Sequence, residues 1–363
     1  MPPAGGDRAM SGPLAPNPPF TAPAPVTRLP RVVEGLIHLN RFPILLVAFV
    51  LLTGCAKERV AAGPDGSKLF HLVVQTDWFP EAEHGGFYQA LLKGYYRDAG
   101  LDVVIVQGGP GETGAKLPTG QVQFGMGRSD DAIVQIARNL PIVIVAALMQ
   151  HDPQALLLHQ ENPVNSFKDL DGKTIMTFPG DNWITYVQQK YHIQFSVIPM
   201  NYGMAEFMAD KNFIQQCYVT NEAFYVEQNG GHPKMLKLSD SGFDPYRVLL
   251  GNATFVKRYP EITQAFVAAT IRGWNDYMNG DPTEANREIQ RLNTAMTPDF
   301  VAYAMKSMRT NRLVAGDPAK GESTGHLSRE RLQELIDTLQ KLGVLDRPVT
   351  VDDVARLEFT ETK

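Results

Sequence analysis

From residue 70 onward the chain alternates short aliphatic runs with amphipathic stretches of helical period, and this alternation restricts the fold more than any other feature. Residues 70–76 read as a strand. Residues 86–98 read as a helix, with Phe87, Leu91 and Tyr95 on one stripe, Tyr88, Leu92 and Tyr96 beside it, and Gly100 closing it. Strand 102–106, a glycine-rich loop, strand 122–126, helix 130–138 and strand 142–147 follow. A second series comprises strands 155–159 and 174–178, helix 182–191, strand 195–198, a short helix near 204–208 and strand 216–220. Strand 246–251 carries the chain back. Beyond Pro260 the pattern is helical, with Phe266, Ile271 and Trp274 on a buried face and Ser328 capping helix 329–342. Such β-α-β alternation builds mixed α/β sheets flanked by helices. The second series interrupts the first, so two lobes are expected. Residues 68–158 and 242–363 form a discontinuous lobe, residues 159–241 the other, and a ligand cleft lies between them. A chain of 363 residues, 44% hydrophobic, is long enough for a separate core in each.

Residues 1–54 do not read as part of that fold. The first 30 hold nine of the 26 prolines and little apolar periodicity, the signature of a disordered leader. Arg28, Arg31 and Arg41 then precede an 11-residue apolar run, 42–52. That is shorter than the ~20 residues a membrane-spanning helix needs, but it suits the core of a signal peptide. Leu52-Thr53-Gly54-Cys55 follows and resembles the bacterial lipobox, which implies a lipid on Cys55 and export to the membrane surface. Residues 55–67, polar and punctuated by Gly63 and Pro64, read as a tether.

Several function classes find no support. Net charge is −5, so the basic face that nucleic acid requires is not expected. Cys217, in an apolar stretch, reads as a buried free thiol. The eight histidines show no H-x-x-x-H spacing and there is no G-x-S-x-G elbow, so neither a metal nor a serine nucleophile is expected. Gly109-Pro110-Gly111-Glu112-Thr113-Gly114 fits a dinucleotide fingerprint on paper. Pro118 and Gly120 interrupt the helix such a site needs, and Ala115 stands where a phosphate loop needs lysine.

Ligands of open α/β sheets sit beyond the carboxyl ends of strands, and four such ends are chemically loaded. The first carries Asp77, Trp78, Phe79, Glu81, Glu83 and His84 in a turn where small polar residues would suffice for connection. The second carries Arg128, Ser129, Asp130 and Asp131, with Ser129 or Asp130 placed to cap a helix. The third carries Asp181, Asn182, Trp183 and Tyr186 after Gly180, at a helix start with free N–H donors. The fourth carries Asn221 and Glu222. Glu222 either faces the cleft and awaits a donor or serves only its own helix N-terminus.

These residues carry a family resemblance. Asp77-Trp78-Phe79-Pro80 with His84, Gly94-Tyr95-Tyr96 with Gly100-Leu101-Asp102-Val103, Thr119-Gly120-Gln121-Val122-Gln123-Phe124-Gly125 and Tyr218-Val219-Thr220-Asn221-Glu222 look like the family that unites yeast thiamine-pyrimidine synthase with bacterial ABC-transporter binding proteins. The similarity covers about residues 69–345. It implies the type II periplasmic-binding-protein fold, no cofactor, and a monomeric receptor that passes a small molecule to an ABC permease and ATPase. The family's enzyme carries a lysine and a histidine after the strand matching residues 122–126, and a late cysteine cluster. Gly127 and Asp131 stand at the matching positions here, and no cysteine follows Cys217. A receptor rather than an enzyme is therefore expected.

Relatives take thiamine-related pyrimidines or alkanesulfonates, taurine and nitrate. An anion calls for arginine and free N–H donors and is repelled by carboxylates. The expected rim is rich in carboxylates, which suit the N–H donors of an aminopyrimidine, and in Trp78, Trp183, Tyr186 and Tyr225, which suit its ring.

Overall fold

The computed structural model describes residues 60–62, 68–109 and 115–360. The leader, the lipobox with Cys55 and most of the glycine-rich segment, residues 110–114, lie outside the described residues. In chain order the strands are β1 (Val60–Ala62), β2 (Lys68–Gln75), β3 (Leu101–Val106), β4 (Phe124–Arg128), β5 (Ile142–Met149), β6 (Gln154–His159), β7 (Thr174–Thr177), β8 (Ser196–Pro199), β9 (Gln215–Tyr218), β10 (Pro233–Lys237) and β11 (Arg247–Asn252).

They form two mixed sheets. The first is ordered β1-β2-β4-β11-β5 with β3 beside β2, and the second β10-β6-β9-β7-β8. In the first, β2 runs parallel to β3 and β4 while β11 runs antiparallel to both β4 and β5. This is the expected α/β, two-lobed architecture, with some details corrected. Residues 60–62 of the expected tether pair antiparallel with β2, whose edge leaves backbone groups to be satisfied. The second sheet begins at Gln154, so the chain crosses several residues earlier than the expected boundary at 158/159. Strand β10 escaped notice because Pro233, Lys234 and Lys237 give it no apolar alternation. It is an edge strand, where proline is tolerated.

The expected helix 86–98 is two helices, Gly85–Leu92 and Tyr95–Asp98, broken where Gly94 adopts φ 77°. The first crosses helix Pro260–Asn279 at close range. A Cβ on Gly86 would fall 2.2 Å from the Trp274 ring, and one on Gly273 2.4 Å from the Gly86 carbonyl. Only glycine permits that crossing, and it seats the segment 77–84 at the carboxyl end of β2.

The chain passes between the sheets at 150–153 and 238–246, and the two crossings are tied. His151 Nδ1 lies 2.7 Å from Asp244 Oδ2, the Asp152 N–H donates to Asp244 Oδ1 at 3.1 Å, and Arg331, on helix Arg329–Leu342, donates to the carbonyls of Gln150 and Asp244. The expectation of separate cores is met only in part. Leu156, Leu158, Trp183 and Phe243 pack within the second lobe, and Ile133, Ile144 and Leu332 within the first. A third buried layer is continuous between them, joining Phe124 and Val145 to Leu157, Cys217 and Val219, because helix Pro298–Thr310 packs on both.

Candidate ligand-binding site between the two sheets

A cavity of about 410 Å³ opens between the sheets at the carboxyl ends of β2, β4 and β7. Its volume suits a small organic molecule. The first sheet contributes Gln75, Asp77, Trp78, Arg128 and Arg247, and the second Gln154, Phe178, Asp181, Tyr202 and Tyr218. Asp131 faces it from helix Ser129–Ala137 with 45% of its side chain exposed.

Charge in the wall is organised around two arginines, each paired with an aspartate. Arg128 Nε and Nη2 donate to the two oxygens of Asp130 at 3.1 and 2.7 Å, and Nη1 donates to Gln154 Oε1 at 2.9 Å. Asp152 and Asp181 stand 3.7 and 3.9 Å from the same guanidinium. Four carboxylates, with Asp131 the fourth, thus surround one cation. Asp152 is pushed up to about 7, by burial first, with Arg128 opposing. Arg247 pairs with Asp77 and donates to the Tyr218 hydroxyl at 3.2 Å. Asp77 also accepts from His84 Nε2 at 2.9 Å.

Two buried donors in this wall have no protein partner, Gln75 Nε2 and Arg247 Nε. The same wall carries the carboxylates of Asp131 and Asp181, of which Asp181 Oδ2 already accepts from Gln154 Nε2 at 3.2 Å and from the Trp183 indole. The arrangement can grip a molecule with acceptors on one edge and N–H donors on another.

The mouth is aromatic. The Trp78 ring, from the first lobe, lies 5.2 Å from that of Tyr202, which lies 5.8 Å from Phe178, both from the second. Tyr202 holds φ 62° and is 50% exposed. A tyrosine held in that region and left open to solvent is a costly arrangement for packing alone.

The structure brings together Trp78, Arg128 and Asp181 as cavity walls, with Asp130 gripping Arg128. Asn182 sits just behind them and bridges the lobes, donating to Asp130 Oδ2 at 3.0 Å and Asp131 Oδ1 at 3.3 Å. Phe79 packs edge-on against Trp78 and takes no place in the wall. Other expected contacts are corrected. Trp183 is fully buried in the second lobe's core, its indole N–H held by Asp181 Oδ2 at 3.1 Å, so it offers no face to a ligand. Tyr186 lies against Phe243, with its hydroxyl on the Ser241 carbonyl. Ser129 caps nothing. It lies within its helix, and its Oγ accepts the Tyr246 N–H at 2.9 Å.

Glu81, His84, Asn221 and Glu222 gather behind the cavity with Glu83, at the junction of the lobes. Glu222 Oε2 accepts the Tyr218 N–H at 2.8 Å and takes no place in the cavity wall. Burial pushes Glu222 up to about 7 and also raises Glu81 and Glu83, each aggravated or relieved by its neighbours. Burial pulls His84 down to about 4, so it is neutral at physiological pH.

Arg247, Tyr202, Gln154 and Gln75 were missed by sequence reasoning. A charged residue opening the apolar strand Arg247-Val248-Leu249-Leu250 was the available signal for Arg247. The others carry none, since each is placed by the crossing of the lobes.

The formylaminopyrimidine-binding protein of Halalkalibacterium halodurans is 24% identical over 325 residues, 85% of this chain and 96% of its own. The riboflavin-binding protein RibY of Chloroflexus aurantiacus is 22% identical, over 89% and 98%. Among solved structures, the alkanesulfonate-binding protein SsuA of Xanthomonas axonopodis pv. citri bound to MOPS superposes with a TM-score of 0.60 at 14% identity, covering 82% of this chain and all of that one. The fold is therefore that of the periplasmic binding proteins. The NMT1/THI5 like profile matches residues 81–285, more than half of the sequence and the segment that builds most of the cavity wall. The chain belongs to the NMT1/THI5-like family.

Proposed function

We propose that this protein is the solute-binding component of an ABC importer and that its ligand is a small nitrogen heteroaromatic of the aminopyrimidine type. The observation that carries this reading is the split polar inventory of the cavity. Gln75 Nε2 and Arg247 Nε lack acceptors, while the half-exposed Asp131 offers its carboxylate to donors. An aminopyrimidine presents ring nitrogens as acceptors and an exocyclic amine as donor, with a flat face for Trp78. Micromolar capture requires about 8 kcal/mol, within reach of a ring contact and a few buried hydrogen bonds. The formylaminopyrimidine-binding relative supports the same class.

An anion receptor of the sulfonate class is less well supported. Arg128, which an anion would seek, is already held by Asp130, and Arg247 pairs through Nη2 with Asp77, leaving only its Nε without a partner. A synthase is less well supported still. Gly127, where the family's enzyme carries its lysine, lies in the cavity wall, and the described wall holds no lysine to form a Schiff base with pyridoxal phosphate. The residues present do not fit that cofactor.

Calorimetry with formylaminopyrimidine and hydroxymethylpyrimidine is expected to give saturable binding, weakened at least tenfold, about 1.4 kcal/mol, in Asp131→Ala. Silence with both, alongside saturable binding of an alkanesulfonate, would remove the reading. Export and a lipid on Cys55 belong to the same proposal. Radiolabelled palmitate is expected in the protein when it is expressed in a bacterium, and Cys55→Ser is expected to release it from the membrane fraction. A label retained by Cys55→Ser would refute the anchor.

A further inference from the structure

The cavity does not end at its polar wall. It continues into a slot between β4 and helix Ser129–Ala137, bounded by Leu117, Ala132, Ile142 and Leu250. Those four side chains belong to the first lobe's apolar core, yet here they line open space. The cause lies in the alternation of β4. Phe124 projects to the opposite face, where it is buried, Met126 packs with it and only borders the cavity, and the slot face receives Gly125 and Gly127. A Cβ on Gly127 would stand 3.0 Å from Leu250 Cδ1, and one on Gly125 3.6 Å from Leu117 Cδ2. Any larger residue at 127 would fill the slot. Both glycines sit inside a strand, where glycine is unfavourable unless something must approach the backbone closely.

Resting on the receptor reading above, we propose that the ligand is two-ended: a donor–acceptor edge held by the polar wall, and a flat apolar extension lodged in the slot over Gly125 and Gly127. Apolar walls that enclose unfilled space forfeit contacts, so a ring fused to the heteroaromatic head recovers them. The slot is a strand's backbone on one side and a helix's Ala132 on the other, which suits a flat group better than a branched chain. A single pyrimidine ring would leave it empty.

The test uses two compounds with the same donor–acceptor edge, 4-aminopyrimidine and 4-aminoquinazoline, which differ by one fused apolar ring. On the full exported chain, calorimetry is expected to show the quinazoline binding 10- to 100-fold tighter. Ala132→Leu and, from the other wall, Leu250→Phe are expected to reduce that preference below threefold. Equal affinity of the two compounds for the unsubstituted protein would overturn the slot and leave the receptor reading standing, and this decides the matter even if both variants fail to fold. A preference that survives in folded variants would overturn it too. Binding of neither compound would remove both proposals together.

Discussion

Two clusters of carboxylates lie between the lobes, one gathered around a cation and one without. In the cavity wall, Asp130, Asp131, Asp152 and Asp181 surround Arg128, and the tightest pair is bidentate. Behind the cavity, Glu81, Glu83 and Glu222 face one another, with the neutral His84 and the Asn221 amide as neighbours. Burial raises carboxylates in both clusters, Asp131 and Asp152 to about 7 as it does Glu222, but the first cluster surrounds a guanidinium while the second has only a neutral imidazole and an amide beside it. The difference follows from chemistry. A cation with five fixed donors can orient several carboxylates toward a ligand. Carboxylates that hold only each other relieve repulsion by staying protonated. The first is built to present charge and the second to conceal it.

Removing the cation should have the largest effect. Arg128→Ala leaves its carboxylates buried and unpaired and is expected to lower stability by about 3–5 kcal/mol, read by urea unfolding at pH 7.5. A cost under about 1 kcal/mol would show that solvent, and not Arg128, satisfies them, and the contrast would collapse.

The proton-held cluster predicts an inverted pH response. Glu222 rises from 4.5 in the unfolded chain to about 7 in the fold, so the native state favours its protonated form. Its penalty is absent below pH 4.5 and grows as pH climbs towards 7. Asp152 adds a term of the same sign over pH 3.8 to 7. His84, lowered from 6.5 to about 4, opposes them below pH 6.5, but the carboxylates outnumber it. Thermal midpoints should therefore be higher at pH 5.5 than at pH 8. Glu222→Gln should stabilise the protein at pH 8 by about 1–2 kcal/mol and flatten the profile. A midpoint that climbs steadily towards pH 8 would contradict the proton-held account.

The smallest effect sharpens the same contrast. Asn221→Ala removes the long 3.4 Å bond to Glu81 and should cost no more than about 1 kcal/mol, because so long a contact contributes little. A loss approaching that of Arg128→Ala would mean that Glu81 is ionised and that Asn221 plays the cation's part.

Much of this molecule was legible beforehand. Helices Asn182–Tyr191 and Arg329–Leu342 fall at the residues that their periodicity and caps marked, and most strands lie within two residues of expectation. Periodicity is a local property, set by which face must leave water. The turns after β2, β4 and β7 stood out for the same reason, since charge and aromatic rings crowd where connection needs neither. The direction of each side chain was not legible. Trp183 and Asp181 share one turn, yet one is core and the other cleft. Glu222 read as well as Asp131 for a ligand contact, and the backbone N–H of Tyr218 took it instead.

The order of residues by itself determined the two-lobed α/β architecture, the interrupted first lobe and the acidic, aromatic character of the strand ends, because these depend on apolar period and composition along the chain. Only the tertiary structure decided which charges meet. Arg247 reaches Asp77, Arg128 reaches Asp181 and Trp78 reaches Tyr202 across separations that carry no sequence period. Pairing of buried groups is set by how two lobes settle against each other, and desolvation there turns a few tenths of an ångström into the difference between a satisfied charge and an orphan.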